Sequence, residues 1–109
     1  IHFCASWDSV GRQSNASLRR LNRQYRRNEN IDILGISLDM DKESWKKAIK
    51  EDTLTWKQVT DFIGWESTVI KQYGIQKLPA NILIGPGGRI LVRDVPGDSL
   101  TTKIDALLN

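Results

Sequence analysis

Few residues in this chain have chemistry to offer. One cysteine and one histidine occur among 109 residues, and they stand two apart in Ile1-His2-Phe3-Cys4-Ala5. On a strand, such residues share a face with about 7 Å between Cα atoms. His2 could then lower the pKa of Cys4 and create a one-cysteine thiol oxidoreductase, peroxidase or redox sensor. A buried free cysteine more commonly serves as a small apolar residue. Cys4 is read that way, with the Cys4/His2 enzyme as the alternative. The lone cysteine excludes an intrachain disulfide, and with one histidine it excludes a Cys/His structural zinc site. Asp39-Met40-Asp41-Lys42-Glu43 spaces its acids as a calcium loop does, but Ser44 and Lys50 stand where glycine and glutamate are needed. Those acids are expected to cap a helix instead. Asp8 precedes a helical pattern, where an N-cap aspartate is worth roughly 0.5–2 kcal/mol over alanine. A nucleophile or base would need a raised pKa, and a helix N-terminus lowers it. No catalytic residue, metal or cofactor is expected.

The elements that position these residues are legible from pattern. Residues 1–6 form a β-run, with His2 and Cys4 on one face and Phe3 and Ala5 on the other. A helix is predicted over 9–28, with Leu18, Leu21 and Tyr25 as its inward stripe. A strand over 31–38 is apolar on both faces, which suits a parallel strand covered on each side, and the connection should be a right-handed crossover. Asp39 or Asp41 can cap a second helix that places Trp45, Ala48 and Ile49 on one face and fades near Asp52. Residues 53–64 read as an irregular connection. A short helix over 65–73 should end at Gly74 in a left-handed cap. Residues 80–84 and 89–94 should form a hairpin across a glycine-rich turn, and a last helix after Pro96-Gly97 should bury Leu100, Ile104, Leu107 and Leu108.

Residues 3–12, Phe3-Cys4-Ala5-Ser6-Trp7-Asp8-Ser9-Val10-Gly11-Arg12, resemble the F-W-A-x-W-C-x-x-C-[KR] motif of thioredoxin-like oxidoreductases. Phe3, Ala5, Trp7 and Arg12 are in frame, and Asp8 and Gly11 occupy the two cysteine positions. Ile33-Leu34-Gly35-Ile36-Ser37-Leu38-Asp39 resembles the second strand of the TlpA-like branch, which overlaps with AhpC/TSA-type sequences. Tyr73-Gly74-Ile75-Gln76-Lys77-Leu78-Pro79-Ala80 resembles the stretch that carries that family's cis-proline, and residues 81–90 resemble its closing hairpin. The resemblance implies a thioredoxin-like three-layer α/β sandwich: a central mixed sheet, helices on both faces, and no extra N-terminal strand.

For function, the resemblance implies a relative of the bacterial thiol-disulfide oxidoreductases whose redox motif, Trp7-Asp8-Ser9-Val10-Gly11, is degenerate. The chemistry needs a thiolate at the helix N-terminus and a second thiol to resolve the mixed disulfide, and both sulfurs are missing. Ser14, Ala16 and His2 also depart from the family's usual surroundings of the pair. In active relatives the cis-proline edge pairs with an extended peptide, which needs no sulfur. Trp7, Leu78 and Pro79 are therefore the candidate peptide-binding edge, and the expected role is noncovalent binding or scaffolding. A periplasmic or cell-envelope location follows from the resemblance alone.

Length and composition fit one domain over residues 1–109. The chain opens directly on a strand, which suggests an excised piece of a longer parent. No apolar run approaches the ~20 residues that span a bilayer, so no transmembrane segment is expected in this chain. The net charge of +3 is uneven. Residues 1–30 hold six arginines against Asp8 and Glu29, giving +4, and the remaining ten bases and eleven acids give −1. Arg12, Arg19, Arg20, Arg23, Arg26 and Arg27 fall within about 120° of the first helix, opposite its apolar stripe. Solvation or an anionic partner is expected there. Nucleic acid is not, since no aromatic interleaves these arginines and no nucleic-acid motif is present. Trp45, Trp56 and Trp65 are read as core and lid packing.

Overall fold

Phe3 is fully buried and marks the centre of the sheet. The computed structural model describes residues 1–108, with Asp98 described by its backbone only. β1 (His2–Cys4) runs parallel to β2 (Leu34–Ser37) and antiparallel to β4 (Ala80–Ile84). Phe3 thus lies between Ile36 and Ala80. β3 (Lys57–Val59) flanks β2 in parallel, and β5 (Ile90–Arg93) closes the other edge antiparallel to β4. The order is β3-β2-β1-β4-β5, a mixed sheet of the thioredoxin-like α/β kind.

Strand alternation divides the apolar side chains between two layers. Phe3, Ile36 and Ile82 meet Ile70 of α3 (Thr68–Gln72) on one face. On the other, Leu18 and Leu21 of α1 (Ser9–Tyr25) meet Leu100 and Ile104 of α4 (Gly97–Leu108), with Leu83 of β4 against them. α2 (Lys42–Glu51) starts where Asp41 accepts from Ser44 N and Oγ at 3.1 and 2.6 Å.

Several expectations are corrected. α1 stops at Tyr25 instead of running to residue 28, because Asn28 N turns back to Tyr25 O and Asn28 Oδ1 takes Asn30 N, both at 2.8 Å. Such side-chain bonds compete with helix. β2 begins at Leu34, opposite Lys57, where a partner strand first exists. The connection over 53–64 contains β3, a short edge strand whose Lys57 and Val59 are exposed and carry no apolar alternation. The helix expected over 65–73 is a 3-10 turn at Gly64–Glu66 followed by the shorter α3, with Gly74 at φ +66 after it. Leu107 is exposed instead of buried. Asp39 is no helix cap but a buried acid, with a role described below.

Candidate functional site

The turn from β1 into α1 is held from below. Asp39 lies at the end of β2, and its two carboxylate oxygens accept Ser6 N at 3.1 and 3.0 Å. It also accepts the hydroxyls of Ser6 and Ser37. A buried carboxylate demands several donors, so satisfying Asp39 fixes the Ser6-Trp7 corner. Asp8 N then donates to Ala5 O at 3.1 Å, and Arg12 N to Asp8 O at 2.9 Å, starting α1. Nothing in the local sequence marks Asp39 for this role beyond its being an acid at the end of an apolar strand.

Asp8 occupies the N-cap position, as expected, but its side chain makes no capping hydrogen bond. It lies over Gly11 instead, where a Cβ on Gly11 would collide with Asp8 Oδ2 and come within 3.4 Å of Pro79 Cβ. That oxygen is buried and accepts no hydrogen bond. The Leu78–Pro79 peptide bond is cis, and the Leu78 side chain packs on the Phe3 cluster. The backbone N–H and C=O of Leu78 make no hydrogen bond among the described residues. Trp7, Asp8, Ser9, Val10, Gly11, Leu78 and Pro79 therefore share one corner of the molecule.

The corner is rimmed by exposed apolar side chains. Trp7 is 60% exposed, Val10 63% and Met40 72%. Met40 follows Asp39, and its Sδ sits 3.2 Å from where a Cβ on Gly64 would stand, next to the exposed Ile63 and Trp65. Trp65 is thus not the packing residue expected from sequence. Trp56 is buried, and Trp45 packs edge-to-face on Phe62 at 5.5 Å and 87°.

Cys4 and His2 stand two apart on β1, His2 buried and Cys4 half-buried. Cys4 Sγ donates to Ile36 O at 3.7 Å. Burial, then the charges of Asp39, Asp8 and Asp52, push its thiol up to about 12. His2 is buried, and that burial lowers its pKa from 6.5 to about 4. A neutral imidazole lends no positive charge to a thiolate, which weighs against the Cys4/His2 alternative and agrees with Cys4 as a small apolar residue.

The arginine face is also less free than its helical arc suggests. Arg12 grips Asp52 through Nε at 2.9 Å and Nη2 at 3.1 Å, and Glu51 through Nη2 at 2.9 Å. Its guanidinium holds the Asp52 carboxyl below the usual carboxylate range. Arg19 Nη1 donates to Asp52 O at 2.7 Å. These two arginines hold the C-terminal end of α2. Among the described residues, no three His, Cys, Asp or Glu side chains could hold a metal ion, and no helix is long and apolar enough to cross a membrane.

Comparison with known proteins agrees with this geometry. Residues 1–90 match the thioredoxin-like family. The chain belongs to that family. Its sheet and helices superpose with a TM-score of 0.93 on a thiol-disulfide oxidoreductase from Bacteroides fragilis, at 52% identity over 97% of this chain and 77% of the other. The thioredoxin domain of a thiol-disulfide oxidoreductase from Bacteroides vulgatus matches at 30% identity and TM-score 0.91, over 99% of this chain and 76% of the other. A thiol:disulfide interchange protein from a Bacteroides species gives 30% and 0.83, over 96% and 68%. No curated protein matches the chain. Within this thioredoxin-like chain the single cysteine is Cys4, so a CxxC pair is lacking at the helix start.

Proposed function

We propose that this thioredoxin-like domain is a noncovalent binding module. It holds an extended polypeptide segment at the Trp7/Leu78–Pro79 edge and performs no dithiol exchange. The observation that carries the reading is the unpaired backbone of Leu78 next to Pro79, which faces Gly11 one helical turn from the solvent-exposed Trp7. An extended peptide can add strand-like hydrogen bonds to such a backbone and lay apolar side chains on Trp7, Val10 and Met40. The orphaned Asp8 oxygen favours peptides that bring a hydrogen-bond donor to Gly11, since an unmet buried acceptor costs about 1–3 kcal/mol. A cell-envelope location is part of this proposal, supported by the likeness to Bacteroides thiol-disulfide oxidoreductases.

An enzyme working through Cys4 is opposed by the raised thiol pKa and the half-buried position of the residue. The binding reading is tested by selecting random displayed peptides on the immobilised domain under reducing conditions. Sequences should enrich on the native chain and not on Trp7→Ala. Equal enrichment on both would overturn the assignment of the edge.

A further inference from the structure

A second region is built differently. A cleft of about 670 Å³ lies between the C-terminal half of α1, residues 31–33, and the segment leading into β3. Arg23 and Arg26 form one wall, and Lys57 stands on the other. None of the three side chains has a hydrogen bond or ion pair among the described residues. Among the described residues the sole acid of the lining is Asp32, whose Oδ1 already accepts Ile33 N at 2.8 Å. Like charges at neighbouring helical positions repel, and no acid among the described residues pairs with these cations.

Two aromatic residues of the same cleft strengthen the point. Trp56 Nε1–H and the Tyr25 hydroxyl are buried without a hydrogen-bond partner among the described residues. An indole N–H can only donate, and a phenol can donate. The cleft thus has a surplus of positive charge beside aromatic and apolar surface from Trp56, Tyr25, Leu21, Ile31 and Ile33. Two arginines and a lysine on opposite walls of one cleft suit a doubly charged tetrahedral oxyanion.

We infer that this cleft binds an organic phosphate ester, with the phosphate between Arg23, Arg26 and Lys57 and the apolar body against Trp56. The site is independent of the Trp7 edge, so either proposal can fail without the other.

The test is an amide and indole NMR titration of the full chain with phenyl phosphate, inorganic phosphate and benzoate. Phenyl phosphate should move the Trp56 indole resonance and the amides of Asn22 and Lys57, and should saturate. Inorganic phosphate should act at the same residues more weakly, and benzoate more weakly than phenyl phosphate. Arg23→Gln with Arg26→Gln should weaken phenyl phosphate by at least about tenfold, the loss expected for charge-assisted contacts. Lys57→Gln, at an exposed strand end, should weaken it independently, and Trp7→Ala should leave it unchanged. Equal shifts at Arg20 and Arg27 that survive the double variant would mean diffuse charge attraction and overturn the site. Benzoate binding as tightly as phenyl phosphate would overturn the dianion. Co-sedimentation with vesicles of phosphatidylcholine and phosphatidylglycerol, without any phenyl phosphate shift, would place the phosphate on a membrane and overturn the soluble ligand.

Discussion

The Asp8 carboxylate fills the space into which a side chain on Gly11 would project. Asp8 and Gly11, the two residues that the motif resemblance aligns with the cysteines, are therefore coupled by volume. Gly11 lies inside α1, where alanine is favoured over glycine by up to about 1 kcal/mol. In the native chain, Gly11→Ala must first expel the Asp8 carboxylate. The gain should thus be larger in an Asp8→Ala background, with a coupling of about 0.5 kcal/mol or more in a double-mutant cycle of urea denaturation. Additive effects would mean that the carboxylate does not sit over Gly11.

Replacing both residues clears the obstruction. Asp8→Cys with Gly11→Cys places two thiols one turn apart at a helix N-terminus, and they should pair under mild oxidant. The native chain should not accelerate insulin reduction by dithiothreitol, whereas the double variant should do so weakly. Two thiols that stay unpaired in the folded variant would mean that this helix start is unlike that of the family.

Much of this arrangement could be read from sequence, for definite reasons. Phe3, Trp7 and Arg12 kept their frame, and the apolar runs around Ile36 and Ile82 carried the central strands. β3 was hidden because an exposed edge strand needs no apolar pattern, only the neighbouring backbone of β2. Asp39 was hidden because its partners, Ser6 and Ser37, meet only when β1 and β2 pair. Arg12 and Arg19 looked free on a helical wheel, which cannot display the end of α2 that they hold.

Cys4 should be inert in the folded chain. A thiol pushed from 9.0 to about 12 holds roughly a thousandfold less thiolate at neutral pH. A thiol reagent should label Cys4 slowly under native conditions and rapidly in denaturant. Fast native labelling that persists below neutral pH would reveal an activated thiolate instead.

Acid should destabilise the fold through His2. Its folded pKa of about 4 lies below the unfolded 6.5, so the unfolded chain binds the proton more readily. The contribution of the neutral ring is complete above pH 6.5 and is lost as pH falls toward 4, a change of roughly 3 kcal/mol. His2→Gln should flatten the fall in urea midpoint across that window, whatever it does to stability at neutral pH. An unchanged slope would place the titrating group elsewhere.

The grip of Arg12 on Asp52 should be stabilising and specific to the fork. Arg12→Gln should cost about 1–3 kcal/mol, because it strips a half-buried carboxylate of its charge-assisted bonds. Arg12→Lys should recover only part, since an ammonium cannot span Asp52 and Glu51 as the guanidinium does. The Asp52 carboxyl is depressed below 3.8, so its contribution is present above that value and disappears as pH falls through the folded pKa. Thermal melts of the two variants at neutral and acid pH measure both effects.

The central claim is that peptide is held at the Trp7/Leu78–Pro79 edge without sulfur chemistry. The most direct measurement is an amide NMR map of the Cys4→Ser domain, titrated under reducing conditions with a peptide enriched by display on the native chain. Saturable shifts should centre on Trp7, Gly11, Leu78 and Ala80, with affinity equal to that of the native chain and reduced about tenfold or more by Trp7→Ala. Loss of binding in Cys4→Ser, or shifts that cluster away from this edge, would contradict it.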